Sequence, residues 1–446
     1  MRRQLWIAPL AAAMVQLGFF PRDPGVPQHL VGLFGLHRAD ASPLPGQIMV
    51  DATNPQWLVR PDGSPVFICG PGDPEGFLYR GTENPDGTRS GDQLTLINRM
   101  VGTGANAIYL MAVRSHGGDG GPTENPFQDR NRANPLNRAV LDQWDVWFDT
   151  MDAAGIVIYF FFYDDSAVVW DTGNDVSEPE RAFFRDLVNR FEHHANLIWV
   201  IAEEYQEGLS WNRASALAAE IRDADDHDHV IAIHQLNGNE FYFADDPNID
   251  QFAMQYNVTS RDALHTGVVE AWADAAGRYQ VMMAECAGYG TGATARQKNW
   301  ACAMGGAYAL VYEMDIASTA TSDLSDCGNL VSFMESTPCH RMAPHDELKF
   351  GQTEYVLARP GEGYIAYSAN AGSLGIKSLP ADTYALSWFD CASGTRFDMP
   401  EVIVGGGDTE WTKPAGFSTE VAVYAERSGT VSVSRESWAQ VKARFR

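Results

Sequence analysis

Two glutamates at the end of an apolar run are the first residues whose types and spacing suggest chemistry. Leu197-Ile198-Trp199-Val200-Ile201-Ala202 leads directly into Glu203-Glu204-Tyr205. Such a run fits a strand buried on both faces, where a charge has no low-cost place, so the pair is expected where the strand emerges. Gln280–Ala284 follows the same plan and ends in Glu285. Two carboxylates across a small gap suit the cleavage of glycosidic bonds. One stays protonated and donates to the leaving oxygen, while the other attacks the anomeric carbon. A gap of about 5–5.5 Å marks the retaining form of that reaction.

Both runs belong to a series. Buried strands are expected over residues 66–69, 106–113, 156–163, 197–202, 230–234, 249–255, 280–284 and 307–311. Helical periodicity covers 91–101, 136–154, 180–191, 213–224, 264–276 and 297–304. In 136–154, Leu141, Trp144, Trp147, Phe148 and Met151 recur at helical spacing, and Gly155 supplies the stop. Strict alternation of strand and helix means parallel βαβ units. Eight of them over about 270 residues favour a closed (β/α)8 TIM barrel over a doubly wound sheet.

A barrel gathers the C-terminal ends of its strands around one mouth. Asp73, Arg114, His116, Asp164, Glu203, Glu204, His234, Tyr256, Glu285 and Glu313 are all expected there. Glu204, ending strand four, and Glu285, ending strand seven, are the expected catalytic pair. Glu203 is expected to raise the pKa of Glu204 by like-charge repulsion or to bind a hydroxyl. Tyr256 is expected to hold the nucleophile by a hydrogen bond, and Asp73, Arg114, His116, Asp164 and His234 to meet sugar hydroxyls. Asp164-Asp165 has a second reading as the cap of the following helix. Phe77, Tyr163, Trp170, Tyr205, Trp211, Tyr289 and Trp300 are placed to stack on sugar faces or to pack loops. Asp225-Asp226-His227-Asp228-His229 and His193-His194 join helices to the starts of strands. That is the stability face of a barrel, so both read as solvated charge and not as metal sites.

Beyond residue 342 the pattern changes to short strands with glycine- and proline-rich turns, expected to form an antiparallel β-sandwich. The organisation read from the chain is an export segment over 1–41, a catalytic barrel over 47–341 and a β-sandwich domain over 342–446. Arg2 and Arg3 precede the apolar run Leu5–Phe20, and Ala39-Asp40-Ala41 offers a small-residue cleavage site. The protein is therefore expected outside the cytoplasm: secreted, periplasmic or at the cell surface. An exported chain can form disulfides, and among its six cysteines Cys327 and Cys339 are the expected pair. The 446 residues carry a net charge of −26, which argues against nucleic acid and anionic membranes as partners. No GxGxxG follows the first strand and there is no P-loop, so no nucleotide cofactor is expected. No strand end carries His-x-His, so no metal is expected either. The oligomeric state leaves no mark in the sequence.

Three stretches resemble the apiosidase-like glycoside hydrolases, barrel enzymes of clan A with a small C-terminal β domain. Pro65–Asp73 resembles that family's first strand with its Gly-Asp ending. Leu197–Glu204 resembles its fourth strand. Tyr384-Ala385-Leu386-Ser387-Trp388-Phe389-Asp390, followed by Gly394, resembles its Trp-Phe-Asp…Gly signature. The resemblance spans most of the chain from about residue 47. It implies a retaining mechanism with Glu204 as acid/base and Glu285 as nucleophile, a plant or microbial polysaccharide as substrate, and no cofactor. Glu203 departs from the asparagine usual in clan A, and Gly72-Asp73-Pro74 departs from Gly-Asp-Thr. A non-catalytic carbohydrate-binding protein built on the same scaffold is the alternative.

The charge also predicts a salt response. Only five of the 32 basic residues are lysine, and 58 acidic residues repel one another at low ionic strength. The melting temperature should rise between low and molar sodium chloride; an unchanged value would show that self-repulsion is not a significant term.

Overall fold

The computed structural model describes residues 42–72, 76–115, 121, 123–167, 170, 173–311 and 314–428. The expected export segment and Asp73, His116 and Glu313 lie outside the described residues. Eight parallel strands organise the rest: β1 (Cys69–Pro71), β2 (Ala107–Val113), β3 (Val157–Tyr163), β4 (Leu197–Ala202), β5 (Val230–Gln235), β6 (Gln251–Gln255), β7 (Gln280–Glu285) and β8 (Ala307–Val311). β2 to β6 are buried over their whole lengths, as their unbroken apolar runs require. The order across the sheet is β1-β8-β7-β6-β5-β4-β3-β2. Its two ends meet at Asn106, whose N–H donates to the Cys69 carbonyl (3.0 Å) and whose Oδ1 accepts from the Cys69 N–H (2.9 Å). With the helices around it, this sheet fits a (β/α)8 barrel.

The helices are α1 (Gln93–Val101), α2 (Arg138–Ala153), α3 (Glu178–Phe191), α4 (Trp211–Ala224), α5 (Arg261–Ala275), α6 (Gly292–Met304) and α7 (Thr321–Glu335). α2 buries Val140, Leu141, Trp144, Trp147, Phe148 and Met151, the stripe that its periodicity predicts. Asn137 caps it by accepting from the Ala139 N–H, and Gly155 leaves it at φ 72°. Ser210 and Ser260 cap α4 and α5 in the same way.

Strict alternation fails in one place: no helix lies between β5 and β6. The connection carries Asn237-Gly238-Asn239 and Asp245-Asp246-Pro247-Asn248, residues that stabilise turns rather than helices. The first strand is also shifted. Pro65–Val66 pairs with Leu58–Val59 in a small antiparallel sheet, and the barrel strand begins only at Cys69. A continuous apolar run does not reveal where one pairing partner is exchanged for another.

After α7 the strands are antiparallel: β9 (Tyr355–Arg359), β10 (Gly363–Ser368), β11 (Ser373–Leu379), β12 (Asp382–Asp390), β13 (Thr395–Val404), β14 (Gly407–Thr412) and β15 (Val421–Arg427). Six strands form one sheet, in the order Ala343–Pro344, β9, β10, β15, β12, β13. Lys349–Phe350, β11 and β14 form another. Leu374 and Ile376 of the smaller sheet share an apolar core with Val356, Ala366, Trp388 and Val423 of the larger. The larger sheet also packs on the barrel. Trp300 of α6 stacks on Tyr367 of β10, with ring centroids 5.0 Å apart and planes 5° apart. Arg296 of α6 binds Glu420 (2.8 Å) and Asp326 of α7 (3.1 Å).

All six cysteines are buried free thiols, so the expected Cys327–Cys339 disulfide is not formed. Cys327 lies within α7 and Cys339 beyond its end. A helix advances about 1.5 Å per residue and holds the two apart.

Closure of the barrel depends on backbone contact at Gly70. A Cβ placed there would lie 2.4 Å from the Ala107 carbonyl oxygen and 2.8 Å from its nitrogen, both main-chain atoms that no rotamer change can move. Gly70→Ala should destabilise the protein by about 1–3 kcal/mol, as overpacking does. Chemical denaturation would measure this, and a parent-like midpoint would show that β1 and β2 can part freely.

Candidate active site

β4 ends in two successive carboxylates, and a straight strand would point them to opposite faces. The backbone prevents that. Glu204 sits in the left-handed region at φ 36°, ψ 51°, a conformation that costs an L-residue on the order of 1–2 kcal/mol. Its N–H donates to Nδ1 of His234 at the end of β5 (3.0 Å), which helps hold the turn. Both glutamates then serve the barrel mouth. Glu203 is buried, and its Oε1 accepts from the Tyr109 hydroxyl of β2 (2.5 Å). Glu204 Oε1 accepts from Gln255 Nε2 of β6 (2.7 Å).

Glu285 reaches the same mouth by another irregularity. The pairing of β6 with β7 runs Met254 to Met283 and then Gln255 to Glu285, so Ala284 is an extra residue on β7. A bulge of this kind re-aims the next side chain. Oxygen or nitrogen atoms of Glu203, His234 and Glu285 all lie within 4.8 Å of one another. A second group, Asp165, Glu204 and Glu207, is equally tight.

The electrostatics separate the members of this cluster. Burial and, next, the Glu285 charge push the Glu204 carboxyl up to about 7. Gln255 opposes the shift, and Glu207 and Asp165 add smaller pushes. The like charge that matters is therefore Glu285 across the mouth, not the adjacent Glu203 that the sequence suggested. Burial alone holds His234 down at about 3, so its imidazole is neutral. Since Nδ1 accepts the Glu204 N–H, the ring proton is on Nε2, 3.9 Å from Glu285 Oε2. A neutral donor thus faces one carboxylate while a second is kept protonated near neutrality. This arrangement can deliver a proton and present an anion at the same barrel mouth.

The other expected site residues have partners of their own. Arg114 and Asp164 pair with each other (2.9 Å) with no side-chain exposure, which joins the ends of β2 and β3 beside Glu203. Asp164 also accepts from the Ser115 and Asp165 N–H groups, far in sequence from the first residue of α3, so it is not that helix's cap. Tyr256 follows Gln255 along an extended chain and points the other way. Its ring covers Gly267 of α5, where an added Cβ would lie 2.3 Å from it, and it makes no side-chain hydrogen bond to Glu285. Of the expected stacking aromatics, Phe77, Tyr163, Tyr205, Tyr289 and Trp300 are buried and Trp170 nearly so, while Trp211 is 47% exposed. The sequence reading missed Tyr109 and Gln255. Each occupies an inward position of its strand, but each looks like an ordinary core residue until its partner glutamate is located.

The histidine-rich runs are not solvated charge throughout. His229 and Asp225 are fully buried and bonded to each other (2.9 Å), and His229 Nε2 donates to the His194 carbonyl (3.0 Å).

No family model matches the chain, and no curated protein matches it. Solved structures do. One described as a glycoside hydrolase superposes with a TM-score of 0.64 at 15% identity, covering 86% of this chain and 98% of its own. A glycoside hydrolase family 5 protein from Bacteroides vulgatus gives 0.65 at 15% identity, covering 89% and 96%. A putative glycoside hydrolase from the same organism gives 0.63 at 11% identity, covering 86% and 83%. At these identities the likeness is one of fold: this chain is similar, over nearly all its length, to barrel proteins of the glycoside hydrolase family 5 type.

Proposed function

We propose that this protein is a retaining glycoside hydrolase. The observation that carries the reading is Glu204, a carboxyl pushed to about 7 by burial and by the Glu285 charge, at the mouth of a barrel similar to those of glycoside hydrolases. In the first step Glu204 gives its proton to the glycosidic oxygen as that bond to the anomeric carbon breaks. Glu285 attacks the same carbon and a glycosyl ester forms. In the second step Glu204, now a carboxylate, takes a proton from water. The water oxygen bonds to the anomeric carbon, and Glu285 leaves as a carboxylate. The Nε2–H of His234 supports Glu285 as an anion, and Gln255 orients the Glu204 carboxyl. Glu203, held by Tyr109, is assigned to a sugar hydroxyl. Trp211, exposed at the start of the helix after β4, is an aromatic available for stacking.

The apiosidase-like resemblance of Pro65–Asp73, Leu197–Glu204 and Tyr384–Asp390 supports a plant or microbial polysaccharide as substrate. It also supports reading the two antiparallel sheets as a sandwich. Export, read from residues 1–41, belongs to the same proposal.

Glu285→Gln and Glu204→Gln should each lower turnover of a responsive polysaccharide or activated glycoside by several orders of magnitude with the fold intact. Azide should restore activity to Glu285→Gly. In the parent, activity should fall as pH rises through about 7, where Glu204 loses its proton. Full activity in either glutamine variant would remove that residue from its role. A dead Glu203→Gln beside an active Glu204→Gln would move the acid by one residue. Sugar binding without turnover in the parent would favour a carbohydrate-binding protein.

The same carboxyl predicts a stability change. Its folded pKa lies above its unfolded value, so the folded state holds the proton more tightly. The stability this confers is complete below the unfolded pKa and is lost as pH rises through about 7. Glu204→Gln escapes that loss. Its melting temperature relative to the parent should be higher at about pH 8 than at about pH 5. A difference independent of pH would contradict the shifted pKa.

A further inference from the structure

Far from the barrel mouth, on the face where the strands begin, two imidazoles converge on one carboxylate oxygen. His193 Nε2 lies 3.4 Å and His194 Nε2 3.1 Å from Oδ1 of Asp145, and the three atoms fall within 4.8 Å of one another. The two rings are 4.0 Å apart with planes 37° apart, and each Nε2 faces Asp145 Oδ1. His193-His194 follows α3, while Asp145 comes from the middle of α2, almost fifty residues earlier in the chain. Only the packing of α2 beside the α3–β4 joint assembles the group.

The geometry points to a divalent transition-metal site, with His193 Nε2, His194 Nε2 and Asp145 Oδ1 as ligands and zinc as the best-suited ion. Tetrahedral zinc with bonds of about 2.0–2.2 Å has ligand–ligand edges of about 3.3 Å. The two nitrogen–oxygen separations already match that edge. The fourth position opens to solvent past His193, whose side chain is 52% exposed, and would take water.

The surroundings orient the ligands as an outer shell should. Arg190 donates to the other oxygen of Asp145 (2.7 Å), which leaves Oδ1 for the imidazoles. It also binds Asp142 (2.9 Å). Asp149 lies 3.9 Å from Nδ1 of His194, the ring nitrogen that must carry the proton once Nε2 binds metal. The His194 ring packs against Phe148 and Phe191, and its carbonyl is fixed by the buried His229–Asp225 pair. Three carboxylates, Asp142, Asp145 and Asp149, outnumber the two guanidiniums beside them, Arg190 and Arg138, and give a field that favours a cation. The site would clip α2 to the start of β4 and act on stability, apart from the proposed glycosidase chemistry.

Titration calorimetry and thermal shift with zinc chloride, on EDTA-dialysed full-length protein, test this. The parent should bind zinc saturably and melt at higher temperature with it. His193→Ala and Asp145→Asn should each weaken the zinc affinity at least about tenfold. His193→Ala should keep the metal-free melting temperature, since its side chain is half exposed. Cobalt in place of zinc should give the visible bands of a tetrahedral centre, absent in His193→Ala. No saturable zinc binding by the parent would overturn the proposal. So would parent-like affinity in both variants, which would move the ion to another group such as Glu203–His234–Glu285.

Discussion

The N–H of Glu204 and the buried Nδ1 of His234 form the contact on which the barrel mouth depends. It helps hold an L-residue at positive φ and so lets two successive carboxylates serve one side of the sheet. It also fixes the tautomer of His234. An imidazole that accepts at Nδ1 and is too deeply buried to be charged must present a proton at Nε2, toward Glu285. One hydrogen bond thus sets the aim of one carboxylate and supplies a neutral donor to the other.

The supporting structure is graded in rigidity around that contact. Each strand that carries a site group is buried along its length, and each site group lies at the end of its strand, where side chains meet water again. The fully buried Arg114–Asp164 pair braces β2 and β3 beside them. Such a pair adds little to stability compared with apolar packing, but it is costly to break on one side, so it fixes geometry. On the opposite face, the Asp225–His229 pair and the Asn106 contacts with β1 do similar work at the strand starts.

The antiparallel sheets are joined to the barrel through α5 and α6. Trp300 stacks on Tyr367, His265 on Tyr355, and Arg296 joins Glu420 to Asp326. Large buried aromatics in this position explain why Trp300 and Tyr289 could look like ligand-stacking candidates in the sequence. Trp300 lies within α6 and Tyr289 in the loop before it; Trp300 meets Tyr367 and Phe333, the Tyr289 hydroxyl donates to Asn299 Oδ1, and composition does not reveal which surface an aromatic faces.

The sequence by itself determined the order of the eight strands, the stripe of α2, the change to antiparallel pairing after α7 and the carboxylates that end β4 and β7. These follow from local periodicity: a strand buried on both faces must be apolar, and a charge in it must mark its end. Tertiary structure alone decided which way those carboxylates point. The left-handed turn at Glu204 and the extra residue at Ala284 both break the alternation that sequence reasoning relies on. It also decided that Arg114 pairs with Asp164, that Tyr256 faces α5, and that Gln255 and Tyr109 are partners of the glutamates. These contacts join residues tens of positions apart across a closed sheet. No local pattern encodes them, because each depends on which strands the closed barrel brings together.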